Sequence, residues 1–232
     1  MDRDGLTLAA EGMPIFPIIG AFTGLVGGVV TWSLELVLPP LLVAIFGLAV
    51  ILSLNGAQHV DGLLDFGDGI MCHGSRVRKL QVMRDSQTGA GGFALGWITL
   101  SATVVAIASL NRGVVVQSLL VSEGAACFSM VFEAWVGKAA HRGMSNTFVT
   151  SMHSGRRNMR IAVSTSLLLL IAIPILGAIG LAVSCTAVVI SLIILFFSQK
   201  AFGGITGDVM GATNELTRLV SLAIILVGKA WL

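Results

Sequence analysis

Long apolar stretches alternate with short polar connections along this chain. A helix needs about 20 largely apolar residues to span a bilayer, and seven stretches come near or exceed that length. Runs such as residues 167–171 do not alternate in polarity, unlike the strands of a closed membrane barrel. The pattern therefore predicts an all-α, polytopic membrane helix bundle with about seven transmembrane helices, at roughly residues 15–37, 41–60, 93–110, 114–136, 161–177, 181–197 and 209–228.

The composition supports a membrane protein. Hydrophobic residues make up 55% of the 232 residues and charged residues 11%, whereas soluble domains carry about 25% charged residues. So few charges could not cover a soluble globule, and so much apolar sequence excludes a disordered chain. A net charge of +2 gives no reason to expect nucleic acid, so the predicted partner is the lipid bilayer. Without an evident linker or repeat, residues 1–232 are predicted to form a single integral-membrane domain.

Basic residues are divided unequally between the two sides of the predicted bundle. Lysine and arginine concentrate in the short cytoplasmic loops of membrane proteins. With the N-terminus inside, the outer side holds only Arg112 and Lys229. The inner side holds Arg3, Arg76, Arg78, Lys79, Arg84, Lys138, Arg142, Arg156, Arg157, Arg160 and Lys200. This asymmetry predicts a multi-pass protein of the cell membrane, with its polar loops facing the cytoplasm.

The stretch from His59 to Gly69 brings three carboxylates together. Asp61, Asp65 and Asp68 are spaced i, i+4 and i+7, so on a helix they share one face. The stretch has no lysine or arginine to neutralise them, and a hard divalent cation such as Mg²⁺ would do so through oxygen ligands. The outer two lie about 10 Å apart along a helix axis, so either two ions bind or another helix supplies ligands. A solvated acidic helix end is the alternative.

A basic segment follows at once, with Arg76, Arg78, Lys79, Arg84 and the neighbouring Asp85. Acids for a metal beside cations for phosphate oxygens are what phosphoryl or nucleotidyl transfer requires, because both neutralise charge on the phosphate in the transition state. The alternative for the basic segment alone is a contribution to membrane topology or lipid contact.

A second polar cluster precedes the last predicted span. Asp208 follows a glycine-rich segment and could be the N-cap of a helix, on the same side as Asp61 in the predicted topology. Glu215 is seven residues further, on the same helical face, and a glutamate inside a membrane span is a functional candidate by default. Its alternative explanation is an i,i+3 ion pair with Arg218.

Four other ionisable residues have no clear role. Glu123 lies deep in the fourth predicted span with no evident partner, and Glu133 could approach Lys138. His141 and His153 lie in a basic loop, where solvation and substrate binding are equally good explanations.

Three ordered motifs carry a family resemblance. They are His59-x-Asp61-Gly62-Leu63-x-Asp65-x-x-Asp68-Gly69, Met83-x-Asp85-Ser86-x-x-Gly89, and Gly203-Gly204-x-Thr206-Gly207-Asp208-x-x-Gly211-Ala212-x-x-Glu215. Together they resemble the cobalamin synthase family, formally adenosylcobinamide-GDP ribazoletransferase, from about residue 16 to the end of the last span. The acidic stretch is also distantly similar to the site of the CDP-alcohol phosphotransferases. Val60 stands where many bacterial members have Glu, and Arg218 where relatives often have a second Glu.

The resemblance implies a Mg²⁺-dependent transferase of the inner membrane that completes cobalamin assembly. A ribose hydroxyl of α-ribazole, or of its 5′-phosphate, would attack the cobinamide-side phosphate of adenosylcobinamide-GDP and release GMP. The predicted partners are then those two substrates and the lipid bilayer. The sequence does not decide whether the chain forms a homo-oligomer. Together with the charge pattern, the resemblance predicts three groups of site residues. The catalytic residues are Asp65, Asp68, His59 and Asp85, and the metal ligands are Asp61, Asp65, Asp68 and Asp208. The substrate-binding residues are Arg76, Arg78, Lys79, Arg84, Asn214 and Glu215.

A metal- or proton-coupled transporter is the alternative from another class, because Glu123, Glu133 and Glu215 would suit an ion path. A transporter predicts acids distributed across the bilayer and repeated halves, whereas here the acids and arginines concentrate at one face. A phospholipid-type alcohol phosphotransferase would share the chemistry but use another acceptor. The motifs favour the ribazole transferase.

Overall fold

The structure is a computed structural model that describes the backbone of residues 3–230 and the side chains of residues 5–228. The side chains of Arg3 and Lys229, counted in the predicted charge asymmetry, lie outside the described residues. The predicted all-α fold is confirmed. In chain order the helices are α1 (Arg3–Glu11), a 3-10 turn (Met13–Ile15), α2 (Phe16–Leu34), α3 (Pro40–Leu54), α4 (Gln58–Met71), α5 (Arg76–Val82), α6 (Ala90–Ala108), α7 (Val115–Val136), α8 (Met144–Met152), α9 (Arg157–Leu176), α10 (Ala178–Ala201) and α11 (Gly207–Ala230).

Six of these helices in the described part of the chain are long and apolar enough to cross a membrane, by length and composition. They are α2 with the turn before it, α6, α7, α9, α10 and α11. Helices α3 and α4 pass the same test together as one bent span, which makes seven. The predicted number of spans is therefore confirmed, and six of the predicted ranges agree with the helices to within a few residues.

The continuous span predicted at residues 41–60 is wrong. Helix α3 ends at Leu54, and α4 leaves it at an angle of 93°. Between them Gly56 and Ala57 have φ angles of 62° and 55°, a left-handed conformation that a right-handed helix does not contain. The turn-forming pair Asn55-Gly56 therefore breaks the span. As a result, the acidic stretch has a helix of its own.

Helix α7 is the centre of the bundle, and its residues from Val121 to Val131 are all buried. It packs against α2, α9, α10 and α11. Helix α2 approaches it through a row of glycines, since a Cβ on Gly28 would lie 2.9 Å from the Val116 Cα. Small residues of this kind let the backbones of membrane helices approach closely. Close packing matters there because lipid tails are as apolar as the side chains, so the hydrophobic effect does not hold the helices together.

The segments predicted to lie on the inner side meet at one end of the bundle. The Ala140 N–H donates to the Ile205 carbonyl at 2.9 Å, and the Ile205 N–H donates to the Lys138 carbonyl at 2.8 Å. Arg76 Nε donates to the Lys200 carbonyl at 3.3 Å, and α1 packs against α8. We call this the polar end, formed by the loops at residues 72–89, 137–156 and 202–206.

Candidate functional site

Helix α4 crosses the start of α11 at the polar end, and a glycine permits the crossing. A Cβ on Gly62 would lie 2.9 Å from the Asp208 Cα and 3.0 Å from the Asp208 carbonyl oxygen. Real side chains do not tolerate such distances without a shift, so only glycine allows the two backbones to touch here. The contact brings the Asp61 and Asp65 segment of α4 directly against Asp208.

Four carboxylates lie near this crossing. The charges of Asp208, Asp61 and Asp68 all act on Asp65, and Asp61 also acts on Asp208. Asp61 is exposed, whereas Asp65 and Asp208 are half-buried. The structure thus brings the first and third motifs into one acidic cluster, which we define as Asp61, Asp65 and Asp208. Asp68 has different contacts and is described separately.

The predicted N-cap role of Asp208 is wrong, because Thr206 has that role. The Val209 N–H donates to Thr206 Oγ1 at 3.2 Å, which satisfies a donor that the first helical turn leaves unpaired. The Thr206 hydroxyl in turn donates to Asp208 Oδ2 at 3.2 Å. Asp208 therefore lies in the first turn of α11, where the positive end of the helix dipole stabilises a carboxylate.

Asp68 is directed at another helix. Its side chain is only 9% exposed, its Oδ2 accepts the Gly89 N–H at 2.6 Å, and its Oδ1 accepts the Gly92 N–H at 2.8 Å. Gly89 is the N-cap residue of α6, so Asp68 caps α6 from α4. Its predicted catalytic and metal-binding roles stay predictions, but both of its oxygens already have backbone partners.

Lys79 caps the carboxyl end of α4, and its predicted substrate-binding role stays a prediction. Its Nζ donates to the carbonyl oxygens of Gly69 and Ile70, each at 3.2 Å, and to that of Cys72. A lysine is favourable there because helix C-termini carry unpaired carbonyls and a partial negative charge. This ammonium is therefore occupied by protein contacts.

The other cations of the basic segment are more accessible. Only Arg76 among them donates a hydrogen bond to a described residue, from its Nε to the Lys200 carbonyl oxygen. Arg78 and Arg84 are exposed, and their guanidinium groups bond to no described residue. Asp85 is also exposed, and its Oδ1 accepts the N–H of Gln87 at 3.2 Å, which makes it a loop-shaping side chain. The substrate-binding and catalytic roles predicted for these residues stay predictions.

Asn214 and Glu215, also predicted to bind substrate, belong to a buried ion-pair cluster. Arg218 forms ion pairs with both Glu215 and Glu123, and all three side chains are fully buried. Its Nη2 also donates to Glu123 Oε2 at 3.1 Å and to Asn214 Oδ1 at 3.4 Å. The i,i+3 pair with Arg218 is therefore present, and Glu123 finds a partner that the sequence analysis did not identify.

His59 faces this buried cluster. Asn214 and the charges of Glu215 and Arg218 act on its imidazole, and its buried Nδ1 has no hydrogen-bond partner among the described residues. Its backbone packs tightly on α11, since a Cβ on Gly211 would lie 3.1 Å from the His59 Cα. The histidine thus links the start of α4 to the interior, and its predicted catalytic role stays a prediction.

Two residues without a predicted role acquire distinct environments. His141 follows α7, and its charge acts on Asp208, so it is the histidine that the fold brings to the acidic cluster. Glu133 is fully buried and does not approach the exposed Lys138. Neither Glu133 oxygen has a hydrogen-bond partner among the described residues, because the neighbouring Thr213 hydroxyl donates to the Val209 carbonyl. No local sequence signal identifies either arrangement.

The family model described as cobalamin-5-phosphate synthase matches residues 3–226. The chain belongs to the cobalamin-5-phosphate synthase family. The resemblance drawn from the three motifs is therefore confirmed.

Relatives of this cobalamin-5-phosphate synthase family member carry the name adenosylcobinamide-GDP ribazoletransferase. The protein from Methanocella arvoryzae is 33% identical over 93% of this chain and 85% of its own length. The protein from Methanococcoides burtonii is 30% identical over 98% of this chain and 86% of its own length. The protein from Escherichia coli K12 is 33% identical over 94% of this chain and 88% of its own length. No solved structure matches the chain.

The acidic cluster of this family member fits a magnesium ion by the chemistry of its donors. Among the described residues, no three His, Cys, Asp or Glu side chains stand close enough to hold a metal ion by themselves. Mg²⁺ does not require that, because it usually binds one or two carboxylates together with substrate phosphates and water. Asp61, Asp65 and Asp208 offer such carboxylates from two helices, and the charges acting most on Asp65 are all negative.

Proposed function

We propose that this chain joins α-ribazole, or its 5′-phosphate, to adenosylcobinamide-GDP in a Mg²⁺-dependent reaction. The ribose hydroxyl oxygen forms a bond to the cobinamide-side phosphorus, and the bond from that phosphorus to the bridging oxygen of the pyrophosphate breaks. The hydroxyl proton is released, GMP leaves with the bridging oxygen, and adenosylcobalamin or its 5′-phosphate remains. The observation that carries the proposal is the meeting of Asp61 and Asp65 with Asp208 in a chain of this family.

The acidic cluster has the position and chemistry to bind the metal. One or two carboxylates of Asp61, Asp65 and Asp208 would hold Mg²⁺ together with substrate phosphate and water. The bound ion would neutralise charge on the reacting phosphate and polarise it. The exposed guanidinium groups of Arg78 and Arg84 would bind phosphate oxygens of the nucleotide-activated substrate, because arginine matches such oxygens with paired N–H donors. These contacts hold the substrate and orient its pyrophosphate; they do not themselves break a bond.

We further propose that the polar end faces the cytoplasm and that the protein resides in the cell membrane. Basic side chains support this orientation, because the loops at residues 72–89 and 137–156 carry most of them, whereas the other end has Arg112 alone among the described side chains. Arg112 stacks over Trp32 with its Cζ 4.4 Å from the ring centroid, at the level where interfacial tryptophans are common.

A transporter is the weaker proposal. Two of the three glutamates that would form an ion path, Glu123 and Glu215, are both ion-paired with Arg218 in the interior. The third, Glu133, lies near the carboxyl end of α7, at the polar end like the acidic cluster, so the carboxylates not paired with Arg218 do not form a path across the bundle.

The experiment is an assay of GMP release by the purified protein in lipid vesicles. Adenosylcobinamide-GDP, α-ribazole and Mg²⁺ should yield equal amounts of GMP and a new corrinoid, both measured by chromatography. Without α-ribazole no GMP should appear, which separates transfer from hydrolysis. Failure to release GMP with either α-ribazole or its 5′-phosphate would reject the proposed function.

A further inference from the structure

The loop between α5 and α6 is held at both ends by two consecutive residues of α4. This loop, residues 84–88, consists of polar residues that are all exposed. At its start the buried Met83 packs on Gly69, where a Cβ would lie 2.8 Å from the Met83 Sδ. At its end the Gly89 N–H donates to Asp68 Oδ2 at 2.6 Å. The loop therefore has a fixed base on α4 and a free polar face.

Both oxygens of the Asp68 carboxylate take part in this attachment. Each of its oxygens accepts one backbone N–H from the first turn of α6, at 2.6 and 2.8 Å. A Cβ on Gly89 would lie 2.6 Å from Asp68 Oδ1, and one on Gly92 would lie 2.6 Å from Oδ2. The two glycines thus make room for the carboxylate against the helix start. No described residue donates a hydrogen bond to Asp61 or Asp65, which leaves their oxygens free.

We propose that Asp68 is a positioning residue and not a magnesium ligand. Asp68 lies about one helical turn from Asp65 on α4. It fixes the start of α6, and with it the end of the loop at residues 84–88. A metal ion on Asp68 would compete for oxygens that already satisfy two helix N–H groups, and unpaired N–H groups of this kind are costly when buried. This inference rests on the proposed function and assigns the metal to the acidic cluster alone.

Moving the helix cap to another residue separates the two roles. Gly89 has φ −86° and ψ −178°, a conformation open to any residue. The three atoms nearest to a Cβ at this position all belong to Asp68, so Asp68→Ala makes room for a side chain. Serine is a favoured N-cap residue. The double substitution Asp68→Ala with Gly89→Ser therefore restores a cap to α6 without restoring a carboxylate on α4.

Two measurements on the full-length protein test the proposal. In Asp68→Ala, kcat for GMP release should fall by about 100-fold, as expected when a distant change displaces a substrate-positioning loop. Binding of Mn²⁺, a spectroscopic probe for Mg²⁺ followed by electron paramagnetic resonance, should stay as in the wild type. The double variant should regain most of the lost kcat. Asp65→Asn is the matched control and should weaken Mn²⁺ binding by about 10- to 100-fold or more.

The proposal is overturned if Asp68→Ala loses Mn²⁺ binding, if its kcat is normal, or if the double variant binds Mn²⁺ but stays as slow as the single one. A wild-type protein that releases no GMP would instead reject the proposed function. Even then, Mn²⁺ binding by the Asp68 and Asp65 variants decides whether Asp68 is a ligand.

Discussion

Replacing Gly62 by alanine should separate the carboxylates while leaving each on its own helix. The new Cβ would lie 2.9 Å from the Asp208 Cα, whereas ordinary contacts begin at 3.4 Å. Helices α4 and α11 must therefore move apart by roughly 0.5 Å, at a cost of about 1–3 kcal/mol typical of overpacking. The free energy of unfolding of native proteins is about 5–15 kcal/mol, so the variant should still fold. Because a 1 Å misplacement costs about 100-fold in rate, we expect kcat to fall by about tenfold.

The assay is the initial rate of GMP release by protein in lipid vesicles, at several Mg²⁺ concentrations. Gly155→Ala is the matched control, because no atom lies within 4 Å of a Cβ at that position, and it should behave as the wild type. A Gly62→Ala protein with both a normal rate and a normal thermal midpoint would refute the reasoning. The close crossing of α4 and α11 would then have no part in setting the site.

Three further outcomes follow from particular contacts. Arg218→Met leaves two buried carboxylates uncompensated and should cost about 3–5 kcal/mol, seen as a lower thermal midpoint in detergent; an unchanged midpoint would contradict the ion-pair cluster. Cys72 should react with a membrane-impermeant thiol reagent in inverted vesicles and not in intact cells, and the reverse result would invert the proposed orientation. Arg78→Ala should raise KM for the nucleotide-activated substrate, whereas Lys79→Ala should mainly lower the thermal midpoint because it removes a helix cap; equal effects of the two would reject their separate roles.

The helical bundle could be predicted from the sequence because bilayer-spanning segments must satisfy their backbone bonds internally and be apolar for about 20 residues. The bend between α3 and α4 could not be obtained in the same way. It depends on the left-handed conformations of Gly56 and Ala57, and a hydropathy pattern averaged over a whole span does not register two residues. The Asn55-Gly56 pair was the available signal.

The site was predictable to the extent that it depends on helical spacing. The i, i+4 and i+7 pattern correctly joins Asp61, Asp65 and Asp68 on one helix, but spacing cannot tell that only the last meets the start of α6. The pairing of Glu123 with Arg218, 95 residues apart, likewise depends on how α7 and α11 pack. Such contacts between distant segments leave no local pattern.

The central claim is that the acidic cluster and Mg²⁺ together carry out the transfer. Its most direct test is the Mg²⁺ dependence of GMP release by the wild type and by Asp65→Asn, reconstituted side by side. The substitution keeps the shape of the side chain and removes the charge at the residue on which Asp61 and Asp208 both act. We expect the variant to insert normally, to lose nearly all GMP release, and not to recover fully with excess Mg²⁺. An Asp65→Asn protein that turns over at the wild-type rate at ordinary Mg²⁺ concentrations would contradict the claim.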